Sequence, residues 1–258
     1  MTRMFTLGGE KRIKTWQVFV GCNYRCLYCW GPRWAKRRKH CAKCLRFTPH
    51  LHEDELYSLP KNPRKHHIVF VAPMADMWGS FVSKDDIEAI LNAVDYYSRN
   101  PHYTWFFETK NPGRFREFID QFPKKTILST TIETDSYPYK VTEAPSPYSR
   151  YIFFKNLPWE PKHVSIEPVM KFNEDKLLWM ITNIDGLKFI SIGVDNYGHR
   201  LPEPSPEEFW RLVNTLRELG YIVEVKTAPE NRNRSQKRRN EITSANIQPL
   251  DMWMEERA

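Results

Sequence analysis

Short apolar runs alternate with helical patterns along most of this chain, and that alternation limits what it can fold into. Thr15 to Val20 reads as a strand ending at Gly21, and His67 to Val71 as a second. Tyr103 to Glu108, Thr126 to Thr131, Val164 to Ile166, Phe189 to Ile192 and Tyr221 to Val225 continue the series. Between them, Ser83 to Ser98 carries Ile87, Ile90, Leu91 and Val94 at helical spacing, with Ser83 as N-cap and Asp85 and Asp86 in the first turn. Asn111 to Gln121, Asn173 to Asn183 and Pro206 to Leu219 are also helical, the last stopped by Gly220. Mostly apolar strands separated by helices predict an α/β fold with a parallel sheet covered by helices. An open doubly wound sheet and a (β/α) barrel both satisfy this rhythm.

Two segments interrupt it. Trp30 to Lys65 is long and basic and reads as an insertion. Beyond Thr227 the chain turns polar, and residues 229–258 read as a basic, partly flexible tail whose end could dock through Leu250, Met252 and Trp253. The expected organisation is therefore one domain over residues 1–228, carrying the insertion at 30–65, followed by the tail. No run approaches eighteen apolar residues, and Met1 to Glu10 lacks the apolar stretch of a secretory signal, so a soluble, cytoplasmic protein without a membrane partner is expected.

All five cysteines, Cys22, Cys26, Cys29, Cys41 and Cys44, fall within the first fifth of the chain. A disulfide scaffold would spread its cysteines to close loops, whereas tight local spacing points to an iron–sulfur or zinc site. Gly21-Cys22-Asn23-Tyr24-Arg25-Cys26-Leu27-Tyr28-Cys29 follows a strand directly. Three thiolates so placed can hold three corners of an iron–sulfur cube and leave one iron open, whereas a structural zinc ion would lack a fourth ligand.

This CxxxCxxC loop, with aromatic Tyr28 before its last cysteine, resembles the radical S-adenosylmethionine (SAM) superfamily. Later segments resemble one branch of it, a phage- and prokaryote-encoded group distantly similar to spore photoproduct lyase. These are the stretch from Val69 to Trp78, Glu108-Thr-Lys-Asn-Pro, Thr130-Thr-Ile-Glu, Ser165-Ile-Glu-Pro and Val225-Lys-Thr. The resemblance implies a partial (β/α)6 TIM-like barrel with a basic CxxC insertion. It further implies a 4Fe-4S cluster on Cys22, Cys26 and Cys29, with SAM on the open iron. SAM would be cleaved to a 5′-deoxyadenosyl radical with an electron from a donor such as ferredoxin or flavodoxin. Barrel active sites gather at the C-terminal edge of the sheet. By position, Tyr28, Met74, Ala75 and Asp76 would then lie near SAM, with Thr109 and Lys110 facing its carboxylate or ribose. Ser129, Thr131, Glu133, Ser165 and Glu167 would ring the cavity, and Gly193 would admit the adenine. Asp76 could instead cap a turn, Lys110 be solvated, and Glu133 or Glu167 pair with a basic neighbour.

The second pair, Cys41-Ala-Lys-Cys44, is followed by His50 and His52. Two thiolates and two imidazoles would complete a tetrahedral zinc site, while a redox pair and two unligated cysteines stay open as alternatives. The net charge of +8 is concentrated in blocks, one of them running from Arg33 to Arg46. Arg33, Arg37, Arg38 and Lys39 interleave with Trp30, Trp34 and Phe47, a pattern suited to phosphates and stacked bases and also to an ordinary solvated surface. The expected function is radical modification or repair of a nucleic-acid base or nucleotide, with single-stranded or looped RNA the cheaper target because no base need be flipped from a duplex. A peptide or small-metabolite substrate, and a non-enzymatic zinc-containing nucleic-acid-binding module, are the alternatives.

Overall fold

The computed structural model describes residues 13–61, 63, 67–136 and 141–231. Strands β1 (Ile13–Trp16), β4 (His67–Val71), β5 (Tyr103–Thr109), β6 (Thr126–Thr131), β7 (Lys162–Ile166), β8 (Leu187–Gly193) and β9 (Ile222–Thr227) form one sheet in that order. The ladders β1–β4, β4–β5, β7–β8 and β8–β9 are parallel. Short helices α1 (Gly31–Ala35) and α2 (Ala42–Leu45) lie in the insertion; α3 (Lys84–Ser98), α4 (Pro147–Lys155), α5 (Glu174–Thr182) and α6 (Pro206–Glu218) supply crossovers, and a 3-10 segment (Pro112–Gln121) joins β5 to β6. The α/β class expected from the alternation is the class observed.

The described residues divide into two compact units. In the first, residues 13–129 with 141–145, Trp16 packs edge-on to Tyr97 at 6.0 Å and lies 5.8 Å from Trp105. Trp78 meets Phe107, Phe115 and Phe118 edge-on. Ile87, Ile90, Leu91 and Val94 of α3 are all buried, and Ser83 caps that helix by accepting from Asp86 N at 3.1 Å. In the second, residues 130–136 with 146–231, β7 is wholly buried and β8 is buried apart from Lys188, as expected where helices cover a parallel sheet. Ser205 and Glu208 close a capping box at the start of α6.

Three local differences from the sequence reading have clear causes. The Thr15 to Val20 run is broken: β1 ends at Trp16, and β2 (Phe19–Val20) leaves to pair antiparallel with β3 (His50–Leu51). The switch is fixed on both sides, since Trp16 O accepts from Ala72 N at 2.8 Å and Val18 O from His52 N at 2.7 Å. Asn111 to Gln121 coils as a 3-10 segment with non-helical backbone at Phe118, not as a continuous α-helix. Helix α4 was not expected, because Tyr148, Tyr151, Phe153 and Phe154 mask any helical period. Its signal is Ser146-Pro147, an N-cap hydroxyl accepting from Ser149 N at 3.1 Å and a proline at the first turn. The tail expected over 229–258 lies outside the described residues apart from a 3-10 turn, Pro229–Asn231. Among the described residues no helix is long and apolar enough to cross a membrane.

A buried ion pair organises the second unit. Arg150 Nη1 of α4 donates to Glu133 Oε2 at 2.6 Å, to Thr131 O at 3.0 Å and to Thr131 Oγ1 at 2.9 Å, with both charged side chains fully buried. Removing one partner strands the other charge in a dry interior. Arg150→Met is expected to lower unfolding free energy by about 3–5 kcal/mol, read from urea melts; a loss below about 1 kcal/mol would contradict a desolvated pair.

Candidate functional site

The cysteine loop begins where β2 ends. Gly21 sits at φ +99°, a left-handed conformation that favours glycine, and a Cβ there would run into the Thr48 carbonyl. Gly21 N donates to Met74 O at 3.1 Å, and Gly21 bridges to Ala75 as in a parallel strand pair. Met74 and Ala75 therefore lie against the start of the loop. Tyr24 is buried, edge-on to Phe81 at 5.2 Å.

A segment that sequence reasoning passed over completes the support. Leu27 N donates to Val141 O at 2.9 Å, and Glu143 N to Tyr24 O at 2.8 Å. The Thr142 hydroxyl lies 3.1 Å from Cys26 Sγ and donates to Tyr24 O at 3.3 Å. No spacing rule pointed to Thr142, since it is more than a hundred residues along the chain from the loop.

Cys22, Cys26 and Cys29 are all half-buried. Burial, reinforced by the Asp76 charge, pushes the Cys22 thiol well up; burial likewise raises Cys29 to about 11, with the Lys110 ammonium opposing. Metal-free, these thiols resist ionisation, and bound iron would reverse that preference. Asp76 is buried, with Oδ1 accepting from Thr109 Oγ1 at 2.6 Å and Trp78 N at 3.2 Å, and Oδ2 from Lys110 N at 2.7 Å. Burial pushes the Asp76 carboxyl above its ordinary range while these donors pull it back. Lys110 Nζ stands over the Tyr28 ring at 5.3 Å from its centroid. One region thus brings together the three cysteines, Tyr28, Met74, Ala75, Asp76, Thr109 and Lys110. Ser129, also in this unit, donates to Glu108 Oε2 at 3.1 Å.

The expected residues of the second unit follow a different pattern. Thr131 and Glu133 are held by Arg150, so one of the basic neighbours anticipated for the glutamates is real. Ser165 is buried, and its carbonyl accepts from Ile132 N at 2.9 Å. Glu167 Oε1 lies 3.3 Å from where a Gly193 Cβ would be, with Lys226 Cβ also at 3.3 Å, so that glycine accommodates protein atoms.

The chemistry of the donor sets separates the two cysteine groups. A 4Fe-4S cube suits Cys22, Cys26 and Cys29, for they are three thiols on one half-buried loop and the other two cysteines are engaged elsewhere. Among the described residues, Cys41, Cys44, His50 and His52 form the group with single-ion spacing, their ligand atoms all within 4.8 Å of one another. Cys41 is held below the ordinary thiol range, mainly by the Cys44 N–H, while burial and then Cys41 push Cys44 up to about 11. Arg33, Arg37 and Lys39 are exposed on the same insertion, and the Arg37 guanidinium stacks 3.9 Å from the Trp34 centroid. Arg38 is half-buried and faces Glu55 at 3.4 Å.

Glu167 yields a pH test. Burial pushes the Glu167 carboxyl above its ordinary 4.5, opposed by Lys226 and reinforced by Glu224. The folded state then holds the Glu167 proton more tightly than the unfolded state does, so stability falls as pH rises through the window above 4.5. Glu167→Gln removes that slope. Its stability relative to the native chain should climb with pH from mildly acidic to neutral conditions in urea melts; a difference flat in pH would refute the assignment.

The fold is shared with solved structures of low sequence identity. A spore photoproduct lyase variant superposes with a TM-score of 0.60 at 10% identity, over 83% of this chain and 76% of that one. A second variant of that lyase, with bound AdoMet and dinucleoside spore photoproduct, gives 0.58 at 8% identity over 83% and 76%. SuiB of Streptococcus suis, bound to S-adenosylmethionine, gives 0.51 at 9% identity, covering 87% of this chain and 52% of that one. No curated protein matches the chain. Residues 10–184, more than half of the sequence, match the family model described as "Protein of unknown function (DUF5131)", and the chain belongs to that family.

Proposed function

We propose that this chain is a radical SAM enzyme acting on a nucleic-acid base or nucleotide. The observation that carries the chemistry is the cysteine loop: three half-buried thiols stand on one backbone-pinned turn, and no remaining cysteine is placed to occupy a fourth corner. In this reading Cys22, Cys26 and Cys29 hold a 4Fe-4S cluster whose open iron takes SAM. Such a cluster, when bound, would supply the reducing electron for SAM cleavage, and these three thiols are the residues that would hold it.

The chain's own residues do the positioning. Met74 and Ala75 fix the start of the loop, and Val141, Thr142 and Glu143 fix its middle. Asp76 holds the ends of β4 and β5 in register with the loop through Thr109 and Lys110. Lys110 and Tyr28 set a cation and an aromatic face beside Cys29, the combination suited to an amino acid carboxylate and a ring. Thr131 and Glu133 serve the Arg150 network.

The substrate reading rests on the insertion. Arg33, Arg37 and Lys39 are exposed, Arg37 is stacked on Trp34, and a cleft of about 450 Å³ is lined by Arg37, Arg38, Lys39 and His40 together with Cys41, His52 and Asp54. Cationic side chains with an aromatic plane suit the phosphates and bases of a single strand, and RNA is favoured over duplex DNA. A ferredoxin or flavodoxin would deliver the electron. The barrel would span residues 1–228, with the insertion at 30–65.

Anaerobic reconstitution with iron and sulfide, followed by chemical reduction, should yield 5′-deoxyadenosine from SAM, and Cys22→Ala, Cys26→Ala and Cys29→Ala should each abolish it. Host RNA should accelerate the release, and Arg37→Ala with Lys39→Ala should weaken RNA binding while reducing its salt dependence. A colourless protein carrying zinc alone would support the non-enzymatic binding module instead. SAM cleavage indifferent to every polyanion would move the substrate to a peptide or small metabolite.

A further inference from the structure

The structure assigns one zinc ion to Cys41, Cys44, His50 and His52, and we propose that this ion locks the turn at residues 46–49 against both flanks of the Gly21–Cys29 loop. The assignment stands on the insertion's own atoms and does not depend on the radical SAM reading.

The distances come close to those of one tetrahedron, all four ligand atoms lying within 4.8 Å of one another. His50 Nε2 lies 3.2 Å from Cys41 Sγ and 3.6 Å from Cys44 Sγ, and His52 Nε2 lies 3.2 Å from Cys44 Sγ. A zinc ion with bonds of about 2.0–2.3 Å sets its ligand atoms about 3.3–3.8 Å apart. The backbone explains how four side chains converge. Cys41 is the N-cap of α2 (Ala42–Leu45), which turns Cys44 back under it, and Cys41 Sγ accepts from Cys44 N at 3.3 Å. His50 and His52, two residues apart on extended chain, project to the same side. Their rings lie 4.5 Å apart.

The surroundings fix the His50 imidazole as a metal ligand needs. His50 Nδ1 lies 2.8 Å from Thr48 O; donating there leaves the Nε2 lone pair facing the thiols. His52 Nδ1 lies 3.9 Å from Asp54 Oδ1. Four protein ligands leave no open position, so the ion is structural.

Its mechanical role follows from what the ligands frame. Between Cys44 and His50 the chain turns through Phe47, at φ +55°, and Thr48. A Cβ on Gly31, two residues after Cys29, would lie 2.7 Å from the Phe47 ring and 3.3 Å from Cys29 Sγ. Gly21, at the other end of the loop, abuts the Thr48 carbonyl. His50 is the cross-strand partner of Val20, and Cys44 shares an apolar cluster with Val20, Ala35 and Met74. The turn thus touches both flanks of the cysteine loop, and the ion is the strongest cross-link available to hold it there.

The full chain, purified without a polyhistidine tag, should contain about one zinc per molecule, with X-ray absorption showing two sulfur and two nitrogen neighbours. Cys41→Ser with Cys44→Ser should reduce the zinc content at least tenfold. Should that variant fail to fold, cobalt substitution of the native chain should give the visible ligand-field bands of a two-thiolate tetrahedral site. In iron-free protein, withdrawing zinc with a chelator should raise alkylation rates of Cys22 and Cys29 several-fold, followed residue by residue by mass spectrometry. A zinc-free native chain, or iron at these four ligands, overturns the assignment. Unchanged alkylation overturns the locking role. Neither result bears on SAM cleavage, which fails or succeeds in its own assay.

Discussion

Much of the first unit depends on the burial of one carboxylate. Asp76 would be costly inside the protein without the Thr109 hydroxyl and the Trp78 and Lys110 amides, and those donors come from the chain following two neighbouring strands. Satisfying Asp76 therefore sets the ends of β4 and β5 relative to each other. Met74, two residues earlier, accepts from Gly21 and carries that order into the cysteine loop. The loop is rigid by connection rather than by internal structure.

The chain separates two kinds of cysteine chemistry within a short stretch. Cys22, Cys26 and Cys29 share a loop anchored by backbone hydrogen bonds, and among the described residues they belong to no group with single-ion spacing. Cys41 and Cys44 face two histidines at distances fit for one ion. A cube of four irons and a lone metal ion demand different ligand spacings, so each group is poorly suited to the other's cofactor.

The fold was legible where burial and period coincide. Helix α3 has its four apolar positions on one buried face, and β4 and β5 are apolar runs long enough to be unambiguous. The sheet switch at Gln17 was hidden because TWQVFV is equally apolar on both sides of it; only pairing with β3 divides the run. The cysteine spacing revealed the loop, but its support from Val141, Thr142 and Glu143 arises from long-range hydrogen bonds that leave no local pattern. Likewise, Glu133 is a strand-end carboxylate that the sequence cannot distinguish from a ligand group. Arg150 decides the matter from a helix whose aromatic content concealed it.

Every cysteine of the chain lies between β2 and β3, two strands that pair with each other. That excursion is closed by contacts short in sequence, whereas the parallel ladders need long crossovers before their strands can meet. During synthesis all five cysteines emerge with their local closure available while the C-terminal strands are still being added. The cysteine-bearing excursion can therefore close on the nascent chain before the sheet is complete.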